Sequence, residues 1–218
     1  MRRFLVLSIA LPFYLTTQAA AQACVGMPSF SSGRMQVAGG GQFADGTNSF
    51  DGTFGYGVPK SVYGKALVGR TSYDGLSGSS FDFGVGGGYQ IPLHTSRMAE
   101  LCPIASLSLG SGPHNVLNSG VDMSSRTFAF GGSVGVGVGG SSQVRILPNA
   151  SFQFANTRAT LDNGTISSSA SESYGLLTLG SGFVFNSRFS LNPSLSFPVG
   201  LDGGDVSFGL IGAMNFGR

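Results

Sequence analysis

Two cysteines, two histidines and a scatter of isolated charges are the residues of this chain able to do chemistry. Cys24 and Cys102 are its only thiols. Without neighbouring histidines they fall short of a metal-ligand set, so no metal and no cofactor are expected. In an oxidising compartment such a pair is expected to close as a disulfide. His114 has Ser111, Ser119 and Asp122 nearby in sequence, the ingredients of a serine acyl-transfer site. There the imidazole must orient and deprotonate the hydroxyl. A Gly- and Ser-rich loop holds that alignment poorly, so no catalytic residue is assigned and the chain is not expected to be an enzyme. His94, on a short connection, offers less. The glycines at 39–41 and 86–88 lack the strand-to-helix setting and the Lys-Ser/Thr that a phosphate loop requires.

The first residues read as an export leader. Arg2 and Arg3 form a basic head, Phe4 to Leu15 are nearly all apolar, and Ala21, Gln22 and Ala23 give the small-x-small pattern of a peptidase site. Cleavage after Ala23 makes residues 1–23 a signal peptide and leaves Cys24 at the mature terminus. A lipid anchor on that cysteine is disfavoured by Gln22, where the lipoprotein peptidase prefers a small residue. The net charge of +2 then belongs to the leader, and the mature chain has no basic excess for nucleic acid. No tryptophan, 36 glycines and 18 phenylalanines suit a sheet with one greasy face and one face of small residues.

The elements that must position these groups show a period of two. Val206, Phe208, Leu210, Met214 and Phe216 oppose Asp205, Ser207, Gly209, Ala213 and Asn215, with Ile211 the exception. Phe189, Leu191, Leu195, Phe197 and Val199 oppose Arg188, Ser190, Asn192, Ser194 and Ser196. The same alternation runs through Phe128 to Val138, Phe81 to Ile91, Phe50 to Val58 and Val144 to Phe154. Segments 34–43, 62–73, 99–109 and 173–185 complete the set. A helix would scatter both sets around its circumference. Since the second face carries Gly, Ser and Ala rather than Lys and Glu, a narrow shared interior fits better than a solvated sandwich face. The fold expected is an all-β, closed antiparallel transmembrane barrel of ten strands, with eight as the alternative.

Turn lengths orient it. Connections at Lys60 and Ser61, His94 to Arg97, Gly140 to Ser142, and Asn186 and Ser187 are short and belong to the periplasmic rim. Gly110–Asp122 and Asn156–Ser171 are long, polar and expected outside. Both termini then lie in the periplasm. Residues 24–32 form a periplasmic segment ahead of a barrel spanning 33–218, able to tuck into the mouth and be tied through Cys24 to Cys102. Parity assigns Arg34, Asp51, Arg70, Asp82, Glu100, Arg145 and Arg188 to the interior, where charges must be paired or wet.

These features, from Arg34 to Phe216, resemble the broad family of small outer-membrane barrels related to the transmembrane domain of outer membrane protein A and the opacity proteins. The resemblance implies a final aromatic residue read by the barrel-assembly machinery, here Phe216, followed by Gly217 and Arg218. It also implies delivery by periplasmic chaperones and a surrounding of outer-membrane lipid and lipopolysaccharide. The function expected is that of a monomeric structural or surface barrel, without nucleic-acid partners. A narrow, slightly anion-favouring porin-like pore is one alternative. Adhesion or ligand binding through the Asn156–Ser171 loop, with its Arg158 and Asp162, is another, and a lipid A-modifying enzyme the last.

Overall fold

The computed structural model describes residues 21–28, 34–58, 62–74, 78–93, 99–113, 121–138, 144–201 and 204–216. Ten long strands make the wall: β1 (Met35–Ala44), β2 (Thr47–Val58), β3 (Val62–Tyr73), β4 (Ser79–Tyr89), β5 (Ala99–Ser111), β6 (Asp122–Val136), β7 (Val144–Asp162), β8 (Ser167–Phe185), β9 (Phe189–Val199) and β10 (Ser207–Phe216). Each is antiparallel to the next. β10 returns to β1 in register from Phe216↔Met35 to Phe208↔Phe43, so the sheet has no free edge. The strand number is ten, not eight. β1 and β2 are separate strands, reversed at Gly46, whose φ of 72° places it in the left-handed region.

Closure explains why the alternation is so regular. Every wall residue has one face in common with the apolar surroundings and one with a confined interior, so a slip of one residue would exchange the faces. The large apolar side chains point outward and stay exposed: Phe50 58%, Phe83 59%, Val85 60% and Phe130 51%. A water-soluble protein would bury them. Phe130 also packs against its outward neighbours Phe128 and Phe154, at centroid distances of 5.9 and 5.6 Å. The buried residues include Gln36, Ser133, Ser190, Asn192, Ser196, Ser207 and Asn215.

Several of those inward polar groups meet in rungs, while the Ser133 and Ser190 hydroxyls have no partner among the described residues. Gln36 Nε2 donates to Asn215 Oδ1 at 2.9 Å, joining β1 to β10 where the barrel closes, and Gln42 Nε2 donates to Ser207 Oγ at 2.6 Å further along the same seam. Hydroxyl pairs join β6 to β7 at Thr127 and Thr157 (2.9 Å) and β8 to β9 at Thr178 and Ser196 (3.0 Å).

The expected loop Asn156–Ser171 is corrected to a hairpin. The β7–β8 ladder continues without a break from Asn156↔Ser173 to Asp162↔Ser167. Polarity suggests a loop, but Thr and Ser have nothing against an extended conformation, and here β7 is paired on both sides, with β8 and with β6. The turn itself is Asn163–Ile166: Asp162 Oδ1 accepts from Gly164 N at 2.7 Å, and Asn163 Oδ1 accepts from Ile166 N at 2.7 Å. Within the other long connection, His114 and Ser119 lie outside the described residues, as does His94.

Candidate functional site

The lumen is occupied at one end. Residues Ala21–Pro28 form a small hairpin, Ala21–Gln22 paired with Met27–Pro28 around a single 3-10 turn at Ala23–Val25. It sits inside the wall, its turn against β5, β6 and β7 and its second strand against β8, β9 and β10. Backbone can approach the wall this closely only where no side chain intervenes. A Cβ on Gly135 would overlap the Ala23 carbonyl oxygen, and one on Gly182 would overlap that of Gly26. On the wall between these seats, Leu147 and Val184 close over Ala23, leaving 1%, 2% and 3% of the three residues exposed.

Polar and covalent ties fix this plug. The Ala23 N–H donates to Glu100 Oε2 at 2.7 Å, the Cys24 N–H also donates to that carboxylate, and Gln90 Nε2 donates to its other oxygen. Asn192 Nδ2 donates to the Val25 carbonyl at 3.1 Å from the opposite wall. Cys24 and Cys102 are joined as a disulfide, Cα to Cα 6.0 Å, both buried. A sulfur committed to that bond has no valence left for a thioether anchor. Cys102 stands two residues from Glu100 on the same inward face of β5, so one face of one strand provides both the covalent and the hydrogen-bonded hold.

The interior charges divide into separate places. Asp51 and Asp82 flank Gly69 on the inner wall, their Cβ atoms 3.5 and 3.8 Å from where a Cβ on Gly69 would stand, and Lys65 interacts electrostatically with Asp51. Asp82 also accepts from Thr71 Oγ1 at 3.3 Å. Glu100 is with the plug. Arg34 Nε and Arg145 Nη1 are buried and have no hydrogen-bond partner among the described residues. Two assignments are corrected. Arg70 shares the outward face of β3 with Val68, lying over the Phe81 ring at 5.9 Å, and Arg188 is exposed in the turn after Asn186 and Ser187. On β3 both faces carry apolar residues, Tyr63 and Leu67 inside and Val62 and Val68 outside, so alternation there does not say which face is which. The inward cation of this strand is Lys65. Its shared parity with Tyr63 and Leu67 is the sequence signal that could have found it. Gln90 and Asn192 carry no such signal, since their roles depend on the plug.

Among the described residues no three His, Cys, Asp or Glu side chains gather as metal ligands. A sealed ladder, an apolar exterior and a polar, partly filled interior are the properties required of a barrel in hydrocarbon. The architecture is that of a small closed membrane β-barrel.

No family model and no curated protein matches the chain. Solved structures that align with it include outer-membrane and autotransporter barrels at low identity. The β domain of the Bordetella autotransporter BrkA is 12% identical, with a TM-score of 0.49, over 85% of this chain and 100% of that one. Ail, the attachment invasion locus protein of Yersinia pestis, crystallised with the heparin analogue sucrose octasulfate, gives 14%, 0.46, 85% and 100%. The N-terminal β-barrel domain of Pseudomonas aeruginosa OprF gives 13%, 0.36, 85% and 98%.

Proposed function

We propose that this protein is a structural surface barrel of the bacterial outer membrane whose lumen is closed at its periplasmic end by its own N-terminal segment. The observation that carries the reading is the seat of Cys24–Gly26, held by Glu100 through the Cys24 nitrogen, by Asn192 and by the Cys24–Cys102 bond, inside a wall cut back to glycine at 135 and 182. A channel selecting small anions would need a continuous wet path past this point. In the orientation proposed, the termini and the Asn186–Ser187 turn face the periplasm and the β7–β8 hairpin stands outside. The protein works as a monomer, with Phe216 on the outward face of β10 as the residue offered to the assembly machinery. A second role, favoured by the exposed ladder beyond Asn156, is contact with a ligand or another cell through that hairpin.

The test is planar-bilayer recording of protein purified from outer membranes and shown to be folded by its heat-modifiable gel mobility. The expected result is a silent membrane. Discrete conductance steps from the unmodified protein would sink the closed-barrel reading and restore the pore.

A further inference from the structure

On the outer wall, near the end that carries the long hairpin, Arg126 of β6 and Arg158 of β7 stand directly opposite one another in the ladder. Both are exposed. Like charges directly opposite each other across two strands repel, and an anion placed between them would relieve that repulsion. Arg158 donates from Nη2 to Ser169 Oγ at 2.9 Å, and among the described residues neither guanidinium forms an ion pair with a carboxylate. A shallow, open depression lies against the pair, bordered also by Leu109, Ser124 and Thr160.

Their height in the wall says what kind of anion can reach them. The next outward pair toward the membrane is Phe128 and Asn156, and the one after it is Phe130 and Phe154. In the other direction the next pair is Ser124 and Thr160. The arginines therefore stand at the border between the apolar band and the polar rim, where lipid headgroups lie. Arg70, the other outward arginine of this side, is at the same border over Phe81, three strands away and so roughly 15 Å round the wall.

We propose that Arg126 and Arg158 form a binding site for the phosphate of a phosphorylated glycolipid in the outer leaflet, with Arg70 as a further contact. The two planar forks can each give paired donors to phosphate oxygens, which an ammonium cannot. Ser124 and Thr160 add hydroxyl donors on the rim side, while Leu109 and Phe128 run beside the acyl chains. An anion in the depression relieves the cross-strand repulsion, so binding also steadies the β6–β7 pairing. The location of the site in the outer leaflet rests on the orientation proposed above.

The test uses the mature, folded protein in detergent and follows retention of diphosphoryl lipid A by native mass spectrometry, against the same lipid with its phosphates removed. The wild type is expected to hold the phosphorylated form at least about ten-fold more tightly, and R126Q/R158Q to lose about ten-fold per guanidinium. R126K/R158K, which keeps charge without the fork, should fall between them. R158Q alone serves if the double variant does not assemble, as judged by gel mobility. Equal retention of the dephosphorylated lipid, unchanged retention by the variants, or full competition by inorganic phosphate would each overturn the proposal. Protease treatment of intact cells reads the orientation separately, so an inverted barrel that still binds lipid A would be recognised as such.

Discussion

Glu100 is a carboxylate buried in a lumen, 5% exposed, and it persists there because three donors surround it. Two of these donors would be altered by the expected removal of the leader. Cleavage after Ala23 would remove the Ala23 N–H and turn the Cys24 nitrogen into an ammonium, exchanging two amide bonds for one charged contact with the same oxygens. Glu100→Ala is expected to leave that nitrogen and Gln90 without an acceptor and to destabilise the plugged state by about 1–3 kcal/mol. Glu100→Gln, which keeps an acceptor, should cost less. The readout is the urea midpoint of the heat-modifiable gel transition, and equal midpoints for wild type and Glu100→Ala would remove Glu100 from the latch. Residue-scale reading from sequence works where one face is plainly apolar, as at Phe81, Phe83 and Val85 around Asp82. It fails at Arg70, because β3 has apolar residues on both faces, and at Arg188, because alternation continues in the sequence through a turn that leaves the wall.

At the scale of elements, strand number and closure follow from alternation and turn spacing, since a membrane barrel repeats one local rule and long-range pairing only has to join neighbours. The end of a strand is less legible. Nothing in Thr157–Asp162 or Ser167–Ser171 marks the border between wall and hairpin, because the ladder that continues there rests on exposed segments matching each other, β7 with β8 on one side and with β6 on the other, and not on burial. That independence yields a prediction. Replacing residues 160–169 by Asn-Gly, which closes the ladder after Ala159↔Ala170 with a tight turn, is expected to leave assembly and heat-modifiable mobility unchanged. If the hairpin is the contact surface, the same variant should lose adhesion of expressing cells to a host-cell layer. Adhesion equal to that of the wild type would dismiss the hairpin from that role.

For the molecule as a whole, the wall and the plug are separate solutions to separate needs. The wall satisfies its own backbone and needs no plug to close, since β10 meets β1 through nine paired residues. The plug fills a space that ten strands leave open and side chains do not fill, near a lumen face made of Gly135, Gly182, Ser133 and Ser190. Its disulfide spans 78 residues, a loop long enough for the cross-link to contribute about 4 kcal/mol in a chain-entropy account. The consequence is that freeing the plug should open the barrel without unfolding it. Deleting residues 25–33 together with Cys102→Ser is expected to give protein that still inserts and migrates as a folded barrel but now passes discrete, small current steps in a planar bilayer. A silent deletion variant would transfer the seal to the side-chain rungs, Gln36 with Asn215 and Thr178 with Ser196, and leave the plug as a brace for the wall rather than its stopper.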